Sequence, residues 1–346
     1  MDSTPTDPAG EETLQRLWAR GCDFLGTPTA ILGGAMSWVS ERNLVSAISN
    51  AGGFGIIACG SMDPDMLCTE IAATAALTDK PFGVNLITMH PDLDALIDVC
   101  LAKTVGHVVL AGGLPRTAQI ARIKAGGAKV LCFAPTLTFA HKLMRSGADA
   151  LIIEGMEAGG HIGPVSTSVL AQEILPEIDD VPVFVAGGIG HGEAVAAYLE
   201  MGASGCQLGT RFVCAEESIA HPDFKKRLLR AQARDAQVSS QLDPRFPVVP
   251  VRALANAASE RFLDVQRAVI AKVEAGEFDQ KAAQLEIEHF WIGALRRAII
   301  DGDVDNGSVM AGQSVGMVRS EQPLAKIIAE LVAQAASALA RRDRAT

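Results

Sequence analysis

Aromatic residues make up only 5% of the chain, and its seven cysteines include no pair at the CxxC spacing of a zinc or dithiol site. An odd number of thiols, mostly set in apolar runs, reads as buried free cysteine in a reducing cytosol rather than a secreted disulfide framework. There is no run of Lys and Arg, and the formal net charge is −10, which excludes the clustered positive surface that nucleic-acid phosphates require. No apolar stretch reaches the ~20 residues needed to span a bilayer. Residues 1–12 are polar and acidic, without the basic start and apolar centre of a secretory signal. These absences predict a soluble, cytoplasmic protein whose partner is a small molecule, with no nucleic acid and no membrane. The histidines are scattered, with no HxxxH and no carboxylate at helical ligand spacing, so no catalytic metal is expected. The lack of GxSxG removes support for serine hydrolysis.

What the chain does have is aliphatic bulk and glycine: 49% hydrophobic residues and 33 Gly. Short apolar runs recur at 30–34, 55–58, 82–86, 107–111, 129–133, 150–154, 181–186 and 205–209, each followed by a helix-like segment. Continuous aliphatic runs suit strands buried on both faces, and their alternation with helices implies parallel pairing through right-handed crossovers. A repeat of roughly 20 to 30 residues fits a closed (β/α)₈ TIM barrel. The rival doubly wound sheet would show a dinucleotide fingerprint after its first strand. Gly53-Phe54-Gly55-Ile56-Ile57-Ala58 satisfies that pattern only as letters, because it follows a helix-like segment and leads into a strand. The expected organisation is an N-terminal extension (1–29), a barrel (30–215 and 298–346) with C-terminal helices, and a mainly helical insertion or lid (216–297). The insertion is broken by the proline-containing stretch 243–251, and a last amphipathic helix at 323–342 should pack on the barrel exterior.

Two Gly-rich turns follow the seventh and eighth runs: Gly187-Gly188-Ile189-Gly190 and Gln207-Leu208-Gly209-Thr210. In barrels this position commonly cradles phosphate with backbone N–H groups, although glycine there can also serve turn geometry alone. Glu154-Gly155-Met156-Glu157-Ala158-Gly159-Gly160-His161-Ile162-Gly163 ends the sixth run, on the catalytic face. Its glycines would let backbone approach a flat ligand while the imidazole of His161, a residue type suited to proton exchange at physiological pH, stands beside it. The amide of Asn85, at the end of the third run, can donate to and accept from the edge of a flavin or nicotinamide ring, or simply cap a turn. Met36 follows Gly33-Gly34-Ala35, where small backbone and a soft side chain could meet a ring; core packing is its default role, and that of Trp38.

These motifs resemble those of the flavin barrels that comprise nitronate monooxygenases (2-nitropropane dioxygenases) and enoyl-acyl-carrier-protein reductase II. The likeness runs from Ala30 to Val318 and is most specific in EGMEAGGHIG (154–163), VAGGI (185–189), QLGTRF (207–212), AHPDFK (220–225) and GDVDNGSVMAGQSVGMV (302–318). It implies FMN, with contacts carried over to Gly34, Ala35, Met36, Asn85, Glu154, Gly159, Gly188, Gln207, Leu208, Gly209 and Thr210. His161 falls on the family's catalytic histidine. The TRF, AHPDFK and GDVDNGSVMAGQ segments look more like the reductase, which implies NADH or NADPH as co-substrate and an enoyl thioester, such as one on acyl carrier protein, as acceptor. The alternatives are nitronate oxidation with O₂ and NAD(P)H:quinone reduction; a non-catalytic barrel is the rival from outside enzymology. Both branches often carry Gln where Gly33 stands, and the monooxygenases carry Pro where Ala35 stands. A homodimer is the default oligomer.

Overall fold

A computed structural model gives the structure of residues 8–243 and 249–344. The eight aliphatic runs become eight parallel strands: β1 (Ile31–Gly33), β2 (Gly55–Ala58), β3 (Phe82–Ile87), β4 (His107–Ala111), β5 (Lys129–Phe133), β6 (Ala150–Glu154), β7 (Val183–Ala186) and β8 (Gly205–Leu208). Each pairs with the next, β8 pairs back onto β1 (Ile31↔Cys206, Gly33↔Leu208), and a parallel bridge between Leu32 and Phe54 closes the ring. The chain is therefore a TIM barrel, as its strand–helix rhythm predicts. Nearly every strand residue is buried, because one face fills the barrel and the other meets the helices. The Gly53-Phe54-Gly55 pattern leads into β2, as its context requires of a structural turn.

The barrel floor is closed by the helix Pro8–Leu25, which lies across the helix Leu324–Asp343 and buries Leu14, Trp18 and Leu25. The elements touch backbone to backbone: a Cβ on Gly10 would sit 2.0 Å from the Ala336 carbonyl oxygen, and one on Gly21 1.9 Å from that of Ser204. At the end of this helix the Phe24 carbonyl accepts from His107 Nε2 (2.9 Å) and from the Lys129 ammonium, both at the N-terminal ends of barrel strands. His107 stands edge-on to Phe24 and Phe54, with centroids 5.4 and 4.9 Å away, and burial drives its pKa down to about 4.

The stretch expected to be a mainly helical insertion also carries strands. The stretch 216–297 does contain the helices Pro222–Leu229, Ala257–Glu274 and Gln280–Ile299, but also the strands Ala236–Val238 and Val251–Leu254. These join Val309–Met310 and Gly160–His161 in an antiparallel sheet above the barrel. Helical periodicity misreads them because each strand is short and its partners come from distant segments. Of the proline-containing stretch 243–251, residues 244–248 lie outside the described residues, as do residues 1–7 of the extension. The long insertion helices share a small core of their own, built on Phe262, Phe290 and Trp291.

All seven cysteines are free, and burial pushes the thiols of Cys59, Cys100, Cys132 and Cys214 up to about 12, far from a reactive thiolate. Cys22 and Cys68 are half-buried rather than enclosed, a difference from the sequence expectation that follows from their places on helices at the barrel surface. Among the described residues no helix is long and apolar enough to cross a membrane, and no group of three His, Cys, Asp or Glu could hold a metal ion.

Candidate active site at the barrel mouth

The C-terminal ends of the strands bring most of the sequence-selected residues to one face. From β1, Gly34 donates its N–H to the Leu208 carbonyl (2.8 Å), locking the first loop to the eighth strand. The Ser40 hydroxyl then folds that loop back, donating to the Gly34 carbonyl (2.8 Å) and accepting from the Met36 N–H (3.0 Å). Met36 sits over Gly209, its sulfur 3.5 Å from where a Cβ would be. Ala35 lies between these fixed points and is half-buried. A side chain on Gly33 would meet Ile48 Cδ1 at 2.4 Å, so the Ile48 side chain would have to turn away to admit one.

Asn85 was expected to end β3, yet the strand runs two residues further, because Leu86 and Ile87 keep pairing with Leu110 and Ala111 of β4. The amide is 5% exposed and reaches the Val109 carbonyl only at 3.4 Å, leaving its oxygen for another partner. Gln207, 6% exposed near the end of β8, lies against Gly34, with its Nε2 3.6 Å from where a Cβ would stand. Glu154 ends β6, and desolvation pushes its carboxyl up to about 8. Among the described residues, no protein group hydrogen-bonds the Gln207 amide or the Glu154 carboxyl. The buried Gln207 and the half-buried Glu154 thus present hydrogen-bonding groups that a ligand at the mouth could engage.

The two glycine turns give the same answer for backbone. Gly187 and Gly188 adopt φ of +100° and +73°, which side chains rarely tolerate, and a Cβ on Gly188 would meet Glu157 Cβ at 2.9 Å. Among the described residues, the N–H groups of Gly188, Ile189 and Gly209 have no acceptor, although Ile189 is buried. Three spare donors on adjacent turns after β7 and β8 could hold an anion. Thr210 plays a different part, since its hydroxyl accepts from the Gly312 N–H (2.9 Å) and so ties β8 to the segment that roofs the site. Leu208 contributes through its carbonyl and packs its side chain in the core.

His161 is exposed at the rim, on a two-residue strand paired with Val251. Sequence reasoning missed the residues that put it there. Glu157 accepts from the Thr167 N–H and hydroxyl (both 2.8 Å), and its carbonyl accepts from the Gln313 N–H (2.9 Å). Gly159 touches the backbone of Ala311 and Gly312 where a Cβ would stand 2.5 Å from Gly312 N, so its glycine is demanded by loop packing. Arg252, 4% exposed, donates to the carbonyls of Met156 and Ala236, joining the β6 loop to the side sheet. Its signal in the sequence is a lone Arg inside the apolar run Val249–Leu254, where an unpaired charge would be costly.

A model of the nitronate monooxygenase family matches residues 20–97 and 93–334. The chain belongs to this family. One curated relative of this nitronate monooxygenase family member, 31% identical over 90% of the chain and 94% of the relative, is a 5-hydroxy-7a-methyl-1-oxo-octahydro-1H-indene-4-carboxyl-CoA dehydrogenase of Mycobacterium tuberculosis. Another, a nitronate monooxygenase of Paraburkholderia phytofirmans, is 28% identical over 94% of the chain and 95% of the relative. Among solved structures, FabK, the enoyl-acyl-carrier-protein reductase II of Thermotoga maritima, superposes with a TM-score of 0.84 at 35% identity, covering 94% of this chain and 99% of that one. A nitroalkane oxidase of Streptomyces ansochromogenes gives 0.76 at 28% identity, covering 92% and 98%. This member of the nitronate monooxygenase family is thus an oxidoreductase of a group that uses flavin, and its spare donors and polar side chains fit such a cofactor: N–H groups for an anion on one side and amide and carboxyl groups for a polar ring edge on the other.

Proposed function

We propose that this protein reduces the carbon–carbon double bond of an enoyl thioester, with NADH or NADPH as the electron source and FMN as the bound cofactor. The observation that carries this reading is the placement of His161: exposed at an open rim, on a strand held by the insertion, rather than enclosed in a small apolar pocket. An open rim suits a substrate with a long carrier arm. The names of the CoA dehydrogenase and FabK, at higher identity than the nitronate enzymes, support the same substrate class.

When bound, FMN supplies hydride transfer between the nicotinamide and the enoyl β-carbon. The backbone N–H groups of Gly188, Ile189 and Gly209 would hold its phosphate, with Gly34, Ala35 and Met36 lining the way to the ring. Asn85, Gln207 and Glu154 would meet its polar edge. His161 holds the thioester carbonyl or delivers the proton that the α-carbon gains, so that one double bond is reduced for each nicotinamide oxidised. The clamps on Glu157 and Arg252 act on His161 through the loop that carries it, limiting the positions it samples.

The test is to load the protein with FMN, exclude oxygen, and add NADH, NADPH or an alkyl nitronate in separate cuvettes. The expected result is bleaching of flavin absorbance by a nicotinamide and recovery on adding an enoyl thioester. Bleaching by the nitronate alone would overturn the proposal and favour the second reading, nitronate oxidation, which the full-length similarity to the Paraburkholderia enzyme supports.

A further inference from the structure

Beside the roofing segment lies a cavity of about 380 Å³, formed by Gln232, Ala233, Gln313, Gly316, Met317 and Arg319. That volume is in the range of small-molecule sites. Its floor is backbone: a Cβ on Gly316 would sit 2.8 Å from the Ala233 nitrogen. In a chain of net charge −10, the one charged residue that lines it is the cation Arg319, and Arg230 and Arg234 lie two residues either side of the lining residue Gln232 in sequence. All three arginines are exposed, and among the described residues none forms an ion pair. The neighbouring carboxylates are engaged: Asp235 accepts from the Gln232 N–H (2.8 Å), and Glu321 holds Lys225 (2.6 Å). No lining residue carries negative charge.

The cavity also has a fixed relation to the mouth. The segment 232–235 leads into the strand Ala236–Val238, whose first residue pairs with Leu254, while Val251 of the same partner strand pairs with His161. Three residues of strand separate these pairs, on the order of 10 Å. On its other side the cavity wall reaches the β7 turn, with Met317 and Ser314 packed against Gly190. A molecule reacting at His161 could therefore extend an arm over the sheet and place an anionic end at Arg319.

We propose that this cavity is a subsite for the phosphorylated adenosine end of a nucleotide-bearing reactant, held by Arg319 with help from Arg234 and Gln232. Guanidinium groups pair with phosphate oxygens through parallel hydrogen bonds, and the glutamine amides can serve ribose or base. Two reactants carry this chemistry, a CoA thioester and NAD(P)H, and the proposal rests on the reductase reading for both. The sheet route from His161 favours CoA, whose pantetheine arm ends in a thioester.

The experiment is calorimetric titration of the FMN-loaded protein with adenosine 3′,5′-bisphosphate, adenosine 2′,5′-bisphosphate, ADP and inorganic phosphate. The first compound should bind best, and Arg319→Ala should weaken it roughly 10-fold to 100-fold, with Arg319→Lys intermediate. Tighter binding of the 2′,5′ isomer, still lost in Arg319→Ala, would keep the subsite and assign it to NADPH. Absence of nucleotide binding, binding no tighter than inorganic phosphate, or affinity unchanged in Arg319→Ala and Arg234→Ala would overturn it. A kinetic arm separates this from the parent reading: KM for a CoA thioester should rise in Arg319→Ala, while KM for the matching N-acetylcysteamine thioester and kcat for both stay put. Nucleotide binding without thioester turnover would sink the reductase reading and leave the subsite standing.

Discussion

Acid should loosen this protein from the barrel floor, through His107. Its folded pKa of about 4 lies below the ordinary 6.5, because burial disfavours the imidazolium more than its hydrogen bond to the Phe24 carbonyl favours it, and Lys129 repels it against a smaller pull from Asp149. Protons therefore bind more tightly to the unfolded chain between these two values, and stability falls as pH drops through that window. With a difference of about 2.5 units, the loss between pH 7 and pH 5 comes to about 2 kcal/mol, reaching ~3 kcal/mol below pH 4. His107→Gln keeps a donor for the Phe24 carbonyl but does not titrate. Urea unfolding of both proteins, with and without FMN, would be followed at pH 7, 6, 5 and 4.5. The variant should start weaker at pH 7 through imperfect packing, and its stability should fall less steeply, by about 2 kcal/mol at pH 5 relative to its own pH 7 value. Other titrating groups cancel in that comparison. Parallel pH profiles for wild type and variant would refute the assignment of neutral, buried imidazole to the floor.

Gly188→Ala forces a side chain into a left-handed turn and against Glu157, so FMN affinity should fall at least 10-fold by equilibrium dialysis while the fold survives. Gly21→Ala should destabilise the protein by about 2 kcal/mol or more in urea unfolding, because its Cβ overlaps the Ser204 carbonyl; an unchanged midpoint would contradict the close helix contact. Glu154 has a folded pKa of about 8, above the ordinary 4.5, so it costs stability increasingly as pH rises from 4.5 towards 8. Glu154→Gln should accordingly stabilise the flavin-free protein more at pH 8 than at pH 5, as read from thermal unfolding. His161→Ala should lower kcat for enoyl reduction by about 10²-fold or more with flavin content unchanged, and loss of flavin instead would give His161 a binding role.

The fold was legible because each barrel strand is a local aliphatic run bounded by turn residues, and parallel pairing needs no further information than alternation with helices. The side sheet was not legible, since Gly160–His161, Ala236–Val238 and Val309–Met310 are two or three residues long and make sense only against Val251–Leu254. The same division runs through the site. Gly188 and Gln207 stand out by residue type at or near strand ends, as does Asn85 even though β3 runs two residues past it, and the roles proposed for them need no distant partner. Arg252, Thr167 and Gly312 act across 96, 10 and 102 residues of sequence, on Met156, Glu157 and Thr210, and nothing local marks those partnerships.

This difference in legibility has a mechanistic counterpart. The spare donors and polar amides belong to the barrel strands and their immediate turns, so on the proposed reading the cofactor is held by the barrel itself. His161 belongs to a loop fixed by Arg252 and by the roofing segment, both outside the repeating strand–helix units. Changes in the insertion, through Val251 and Arg252, can therefore move the histidine and the rim without directly touching the donors at the barrel-strand turns. A family with one cofactor and several substrates fits that architecture, because the groups proposed to hold the cofactor sit on the barrel while His161 sits on the side sheet.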